Sequence, residues 1–197
     1  MSDDPGPGIG PILYIHGFGS CGDSTKSRVL KACFGADSVI HPDLSEDPAR
    51  AIAALEAIIK GRRPRLLVGS SLGGFYADHL NGRHRIPSVL INPSTVPFDT
   101  LAPHLGPQKW WCSGETFELR QSHLDSLRHM YRGAPGPGER YLCLLHTGDE
   151  VLDYRLAAER YADKDVIIEE GGTHRFENLE DYREAIETFS KHSMGRH

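Results

Sequence analysis

Apolar residues in this chain gather into short unbroken runs separated by longer stretches with a helical spacing of apolar positions. Pro11-Ile12-Leu13-Tyr14-Ile15-His16, ended by Gly17, suits a buried parallel strand. Similar runs at Ser38 to His41, Arg65 to Gly69, Pro87 to Ile91, Tyr141 to His146 and Val166 to Glu169 predict five more strands. Between them, Thr25 to Phe34 reads as a helix with Val29, Leu30 and Phe34 on its inner side. Asp47-Pro48 is a helix start, because Asp accepts bonds from free amides and Pro fits the first turn. That helix, with Ile52, Leu55, Ile58 and Ile59 as its stripe, is expected to end near Lys60 at Gly61. Further helices are expected at Leu72 to Leu80, Leu152 to Tyr161 and Glu180 to Ser190, the last behind an Asn178 cap. Strands alternating with helices imply an α/β fold: a mostly parallel six-stranded sheet with helices on both faces.

One stretch breaks the alternation. Asn92 to Arg140 is too long for a simple connection. It carries Pro93, Pro97, Pro103 and Pro107, then Trp110-Trp111, then a helix-like stretch from Glu115 to Tyr131. Residues 93–140 read as a small cap-like excursion at one edge of the sheet, as a helix that covers the sheet, or as both. The remainder suits one domain over 11–192, preceded by a Pro/Gly-rich flexible leader at 1–10.

Composition narrows the partners. The chain has 197 residues and a net charge of −5, with no basic block to attract nucleic acid. No apolar run approaches a membrane span. The start lacks the basic and apolar regions of a signal peptide, so a cytoplasmic location is expected. Cys21, Cys33, Cys112 and Cys143 are widely spaced and are expected to be free thiols in a reducing compartment. Eleven histidines show no metal-ligand spacing, and neither metal nor cofactor is expected.

The chemistry concentrates at Leu66-Leu67-Val68-Gly69-Ser70-Ser71-Leu72-Gly73-Gly74, an apolar strand running into Gly-x-Ser-x-Gly and then a helix. This is the form of a nucleophile elbow, a sharp turn that presents its central serine, here Ser71, at the carboxyl end of a strand. A serine hydroxyl needs a base to take its proton. In this architecture the acid and then the histidine follow the serine in sequence. His174, in Gly171-Gly172-Thr173-His174-Arg175-Phe176 beyond the sixth strand, is the candidate base, with His146 its main competitor. Thr147-Gly148-Asp149-Glu150-Val151-Leu152-Asp153 offers three carboxylates. Asp149, directly after the glycine turn, is preferred as the acid. Asp153 is expected in the first turn of the next helix, and Glu150 is expected in solvent. Two amides should face the developing oxyanion: Leu72 after the nucleophile, and Phe18 in the His16-Gly17-Phe18-Gly19 loop after the first strand.

Taken together, His16-Gly17-Phe18, Gly69 to Gly74, Asn92-Pro93, Gly148-Asp149-Glu150-Val151-Leu152-Asp153-Tyr154 and Gly171 to Phe176 resemble the YqiA-like esterases of the α/β-hydrolase superfamily. The resemblance runs from about Pro11 to Ser190. It implies a compact α/β-hydrolase fold that cleaves carboxylic esters or acyl thioesters without a cofactor, and it matches Ser71, Asp149 and His174 motif by motif. The substrate would then be a small acyl ester or thioester. Two alternatives stand beside this reading: a peptidase or lipase using the same three residues, and a catalytically silent binding module on the same fold.

Overall fold

The computed structural model describes residues 9–194. Residues 1–8 of the expected leader lie outside the described residues, whereas Ile9 is buried in the core.

Six strands form one sheet: β1 (Ile12–Ile15), β2 (Val39–Ile40), β3 (Leu66–Ser70), β4 (Ser88–Ile91), β7 (Tyr141–His146) and β8 (Asp165–Glu169). Their order across the sheet is β2-β1-β3-β4-β7-β8, and every neighbouring pair is parallel. Such a sheet is covered on both sides, which explains why its central strands are apolar almost throughout. Alternate strand residues face opposite layers. Leu13, Ile15, Leu67, Leu90, Cys143 and Leu145 pack with α2 (Pro48–Arg62) and α3 (Leu72–His84). Ile12, Tyr14, Val68, Val89, Ile91 and Leu144 pack with α1 (Thr25–Phe34) and α7 (Arg183–Met194). Each fully buried Leu or Ile contributes roughly 1.5–3 kcal/mol, so these two layers fix the frame that carries the loops.

Helix starts follow local chemistry. The Ser24 side chain caps α1 in a reciprocal box with Ser27, and Asp47 accepts from the Ala49 and Arg50 amides at the head of α2. The expected stop at Gly61 is not used. Helix α2 continues through Arg62 and closes on Arg63, whose left-handed conformation lets its N–H reach the Ile59 carbonyl. Asn178 does not cap the last helix. Its amide donates to the Glu169 carboxylate at 3.2 Å, and a 3-10 turn (Leu179–Tyr182) leads into α7 instead.

The excursion after β4 differs from expectation in its middle. A short α4 (Pro97–Thr100) leads to an antiparallel hairpin of β5 (Gly106–Lys109) and β6 (Thr116–Leu119), and only then to α5 (Gln121–Met130). Thr116 to Leu119, expected to be helical, is extended: Phe117 and Leu119 are buried while Thr116 and Glu118 face solvent, the two-residue period of a strand. Helix α5 buries Leu124 and Leu127 against the α2–α3 layer.

The cysteine expectation is corrected in one pair. Cys21 and Cys112, 91 residues apart, form a disulfide, while Cys33 and Cys143 are free thiols. The pairing follows from tertiary contact: the Trp111 N–H donates to the Gly19 carbonyl at 2.7 Å, which lays the hairpin tip beside the β1–α1 loop.

Candidate active site

Strand β3 hands over to α3 within a single residue. Ser71 stands at that joint with φ 55° and ψ −120°, a strained conformation for a non-glycine residue. The bend is possible because strand and helix almost touch. A β-carbon at position 69 would collide with the Gly73 carbonyl, and one at 73 with the Ile15 carbonyl. The Ser71 backbone is held by its N–H to the Ile91 carbonyl (3.1 Å) and by its carbonyl, which accepts from Gly74 and Ser94. Ser70 is buried in the strand.

The Ser71 hydroxyl meets His174. Ser71 Oγ lies 3.1 Å from His174 Nε2, and His174 Nδ1 lies 2.8 Å from Asp149 Oδ2. An ionised carboxylate only accepts, so the ring proton resides on Nδ1 and Nε2 is free to accept from the serine. Asp149 spends its other oxygen on the amides of Val151 and Leu152, both at 2.8 Å. Burial opposes its ionisation, but the His174 bond and these amides outweigh it and hold the carboxyl below its ordinary pKa. Helix α6 (Tyr154–Arg160) begins behind Asp153 rather than at Leu152. Asp153 is the α6 N-cap, bonded to the Arg155 amide and paired with its guanidinium, and does not approach His174.

The loop bearing His174 is fastened from several sides. Glu150 is exposed, yet its carboxylate accepts the His174 backbone N–H at 3.0 Å, a bond that the expectation of a solvated side chain misses. Lys26 Nζ donates to the Arg175 carbonyl at 2.6 Å. Asn92, itself at φ 39°, donates to the Thr173 carbonyl (3.1 Å) and accepts the His146 N–H (2.9 Å), tying the ends of β4 and β7 to this loop. His146, the rival base, is buried and stacked on Phe176 with ring centres 3.8 Å apart. Its Nδ1 faces the Thr173 backbone. Asn92-Pro93 was visible as a motif, but its bracing role needs the register of strands 54 residues apart.

On the opposite side, His16 accepts the Leu44 N–H at Nε2 (3.1 Å) and therefore carries its proton on Nδ1, 2.9 Å from the Gly17 carbonyl. Burial lowers its pKa and keeps it neutral. This buried ring braces the turn that presents Phe18. Leu72 is the first residue of α3, so its N–H has no carbonyl one turn earlier to bond.

Ser71, Leu72, His174 and Phe18 border one cavity of about 710 Å³, whose walls include Leu101, Trp110, Trp111 and Val151. Another, more open groove of about 1410 Å³ runs along β8 and α7 and shares none of these side chains. Among the described residues no group of three or more His, Cys, Asp or Glu is placed to hold a metal ion, and no helix is long and apolar enough to cross a membrane.

Comparison with known proteins agrees with this architecture. The chain is 26% identical over 188 residues to a UPF0227 protein of Serratia proteamaculans, covering 90% of this chain and 97% of that one. It is 25% identical to a UPF0227 protein of Vibrio parahaemolyticus, covering 90% and 98%. Among solved structures, a putative hydrolase from Agrobacterium vitis superposes with a TM-score of 0.74 at 20% identity, covering 90% of this chain and 87% of that one. Est1E of Butyrivibrio proteoclasticus, solved with ferulic acid bound, superposes with a TM-score of 0.72 at 14% identity, covering 94% and 89%. The model of the "Uncharacterised protein family (UPF0227)" matches residues 11–191. The chain therefore belongs to the UPF0227 family, the YqiA-like proteins, and is built on the α/β-hydrolase fold.

Proposed function

We propose that this protein is a serine hydrolase that cleaves carboxylic esters or acyl thioesters through an acyl-enzyme intermediate, with Ser71 as nucleophile, His174 as base and Asp149 as the acid that orients it. The observation that carries the reading is the unbroken chain of hydrogen bonds from Ser71 Oγ through the His174 ring to Asp149. Fold neighbours that include an esterase domain from Rhodothermus marinus and a monoacylglycerol lipase support it.

In the first step Ser71 Oγ bonds to the acyl carbon as its proton passes to His174 Nε2. Asp149 remains ionised and stabilises the resulting imidazolium. The N–H groups of Leu72 and Phe18 hold the negative oxygen, and the head of α3 adds its favourable dipole. Collapse of the intermediate expels the alkoxide or thiolate, which takes the proton from His174. Water then attacks the acyl-serine with His174 again as base, releasing the acid and restoring the hydroxyl.

The test pairs labelling with turnover. A fluorophosphonate should label the native protein at Ser71, and Ser71→Ala should not be labelled. Hydrolysis of 4-nitrophenyl acetate should fall by about 10⁴-fold or more in both Ser71→Ala and His174→Ala. Equal labelling of Ser71→Ala, or undiminished turnover in either folded variant, overturns the assignment.

A further inference from the structure

The hairpin tip at Trp110-Trp111-Cys112 is clamped to the β1–α1 loop more firmly than a surface excursion requires. Cys112 is bonded to Cys21, and the Trp111 N–H reaches the Gly19 carbonyl. Behind it, the Trp110 ring lies on Phe117 with centres 4.5 Å apart, and Phe117 meets the edge of Phe18 at 5.5 Å. The tip closes on itself through Trp110 N–H to Glu115 and Gly114 N–H to Trp110. A covalent link, a backbone bond and an aromatic stack thus hold one short segment in place.

What the clamp presents is an unpaid exposure. Trp111 is 80% exposed, although it is among the largest apolar side chains in the chain. Its indole lies over Gly19 and borders the cavity that contains Ser71 and His174. Val151, 61% exposed, borders the same cavity from the loop that follows Asp149. Two exposed apolar groups bordering one cavity, one of them on a fixed support, form a surface that is completed by an apolar ligand. A rigid aromatic wall binds at low entropic cost, because it is positioned before the ligand arrives.

We infer that Trp111 is a specificity-determining residue: the Cys21–Cys112 clamp holds its indole as a wall against which the bulky apolar portion of the ester packs. Substrates are then esters or thioesters bearing a hydrocarbon chain of several carbons or an aryl group, and short esters are poor substrates. This rests on the hydrolase reading above. Trp111 acts on binding and touches none of the reacting atoms.

The experiment measures kcat/KM for 4-nitrophenyl acetate, hexanoate and octanoate, and for ethyl and 1-naphthyl acetate, in the native protein, Trp111→Ala, Trp111→Phe and the double variant Cys21→Ser with Cys112→Ser. The native protein is expected to prefer the bulkier member in at least one series. In Trp111→Ala that preference ratio should fall about tenfold or more, through KM rather than kcat, and Trp111→Phe should restore most of it. The double variant should lose the ratio as Trp111→Ala does. Thermal unfolding of each variant separates a lost wall from a lost fold. An unchanged ratio in folded Trp111→Ala overturns the wall, and a ratio retained in the double variant overturns the clamp. A native protein that takes no fluorophosphonate at Ser71 and hydrolyses no ester overturns the hydrolase reading itself, an outcome distinct from both.

Discussion

Asp149 and Asp153 stand four residues apart in one loop, and their surroundings give them different tasks. Asp149 is held by His174 and two amides, whereas Asp153 caps a helix and pairs with Arg155 in solvent. Asp149→Asn leaves the ring of His174 without a partner that enforces its tautomer, and kcat on 4-nitrophenyl acetate should fall by about 10⁴-fold. Asp153→Ala should instead lower stability by about 1 kcal/mol, the usual cost of a lost cap, read as a shift of the urea midpoint. Asn92 offers a third contrast. Its replacement by Ala strands the buried His146 N–H and releases the Thr173 carbonyl. Equilibrium unfolding should register a loss of about 1–3 kcal/mol.

At the scale of elements, α3, α6 and β7 are joined by charges rather than by apolar contact alone. Asp78 on α3 bonds Arg160 on α6 at 2.7 Å and the Tyr141 hydroxyl on β7 at 2.8 Å. Arg132 bridges Asp78 and Glu139, and its bond holds the Glu139 carboxyl down at about 2. A carboxyl depressed on folding stabilises the fold fully above its unfolded value and loses that contribution as pH falls toward its folded value. The Glu139 contribution should therefore be constant near neutrality and be lost from about pH 4.5 toward pH 2, with Asp149 shifted in the same direction; the buried His16, lowered by burial, adds a loss that begins below its ordinary value. Glu139→Gln should lower stability at pH 7 by about 3 kcal/mol and flatten the acid decline, both visible in urea midpoints measured from pH 7 to pH 3. This network was not legible in the sequence, because its members lie on separate elements with no shared period. The sheet was legible: each central strand is an apolar run, and α1 is bounded as its stripe implies. Thr116 to Leu119 misled because the charged residues around Phe117 and Leu119 suit a helix surface as well as an exposed strand. The meeting of Ser71, Asp149 and His174 was legible because motif and chain order point to it. Glu150, Lys26 and Asn92 were not, since they act on backbone atoms that no side-chain pattern advertises.

For the whole molecule, the Cys21–Cys112 link closes a loop across 91 residues of sequence separation. Chain-entropy arguments assign such a loop about 4–5 kcal/mol of stabilisation through the unfolded state. For a protein of this size, reduction should lower Tm by roughly 10–20 °C, checked by differential scanning calorimetry with and without dithiothreitol. Spacing alone could not reveal the pair, because the two cysteines meet only after the hairpin has folded onto the β1–α1 loop.

That covalent circle also divides the candidate centre. Position 71 lies within it, between residues 21 and 112, whereas positions 149 and 174 belong to the uncrosslinked chain beyond. Two side chains inside the circle, Lys26 and Asn92, reach out of it to the Arg175 and Thr173 carbonyls and so hold the imidazole's loop against the elbow. With both braces removed, in Lys26→Ala with Asn92→Ala, the proposed ester hydrolysis should fade at temperatures where far-ultraviolet dichroism is still largely intact.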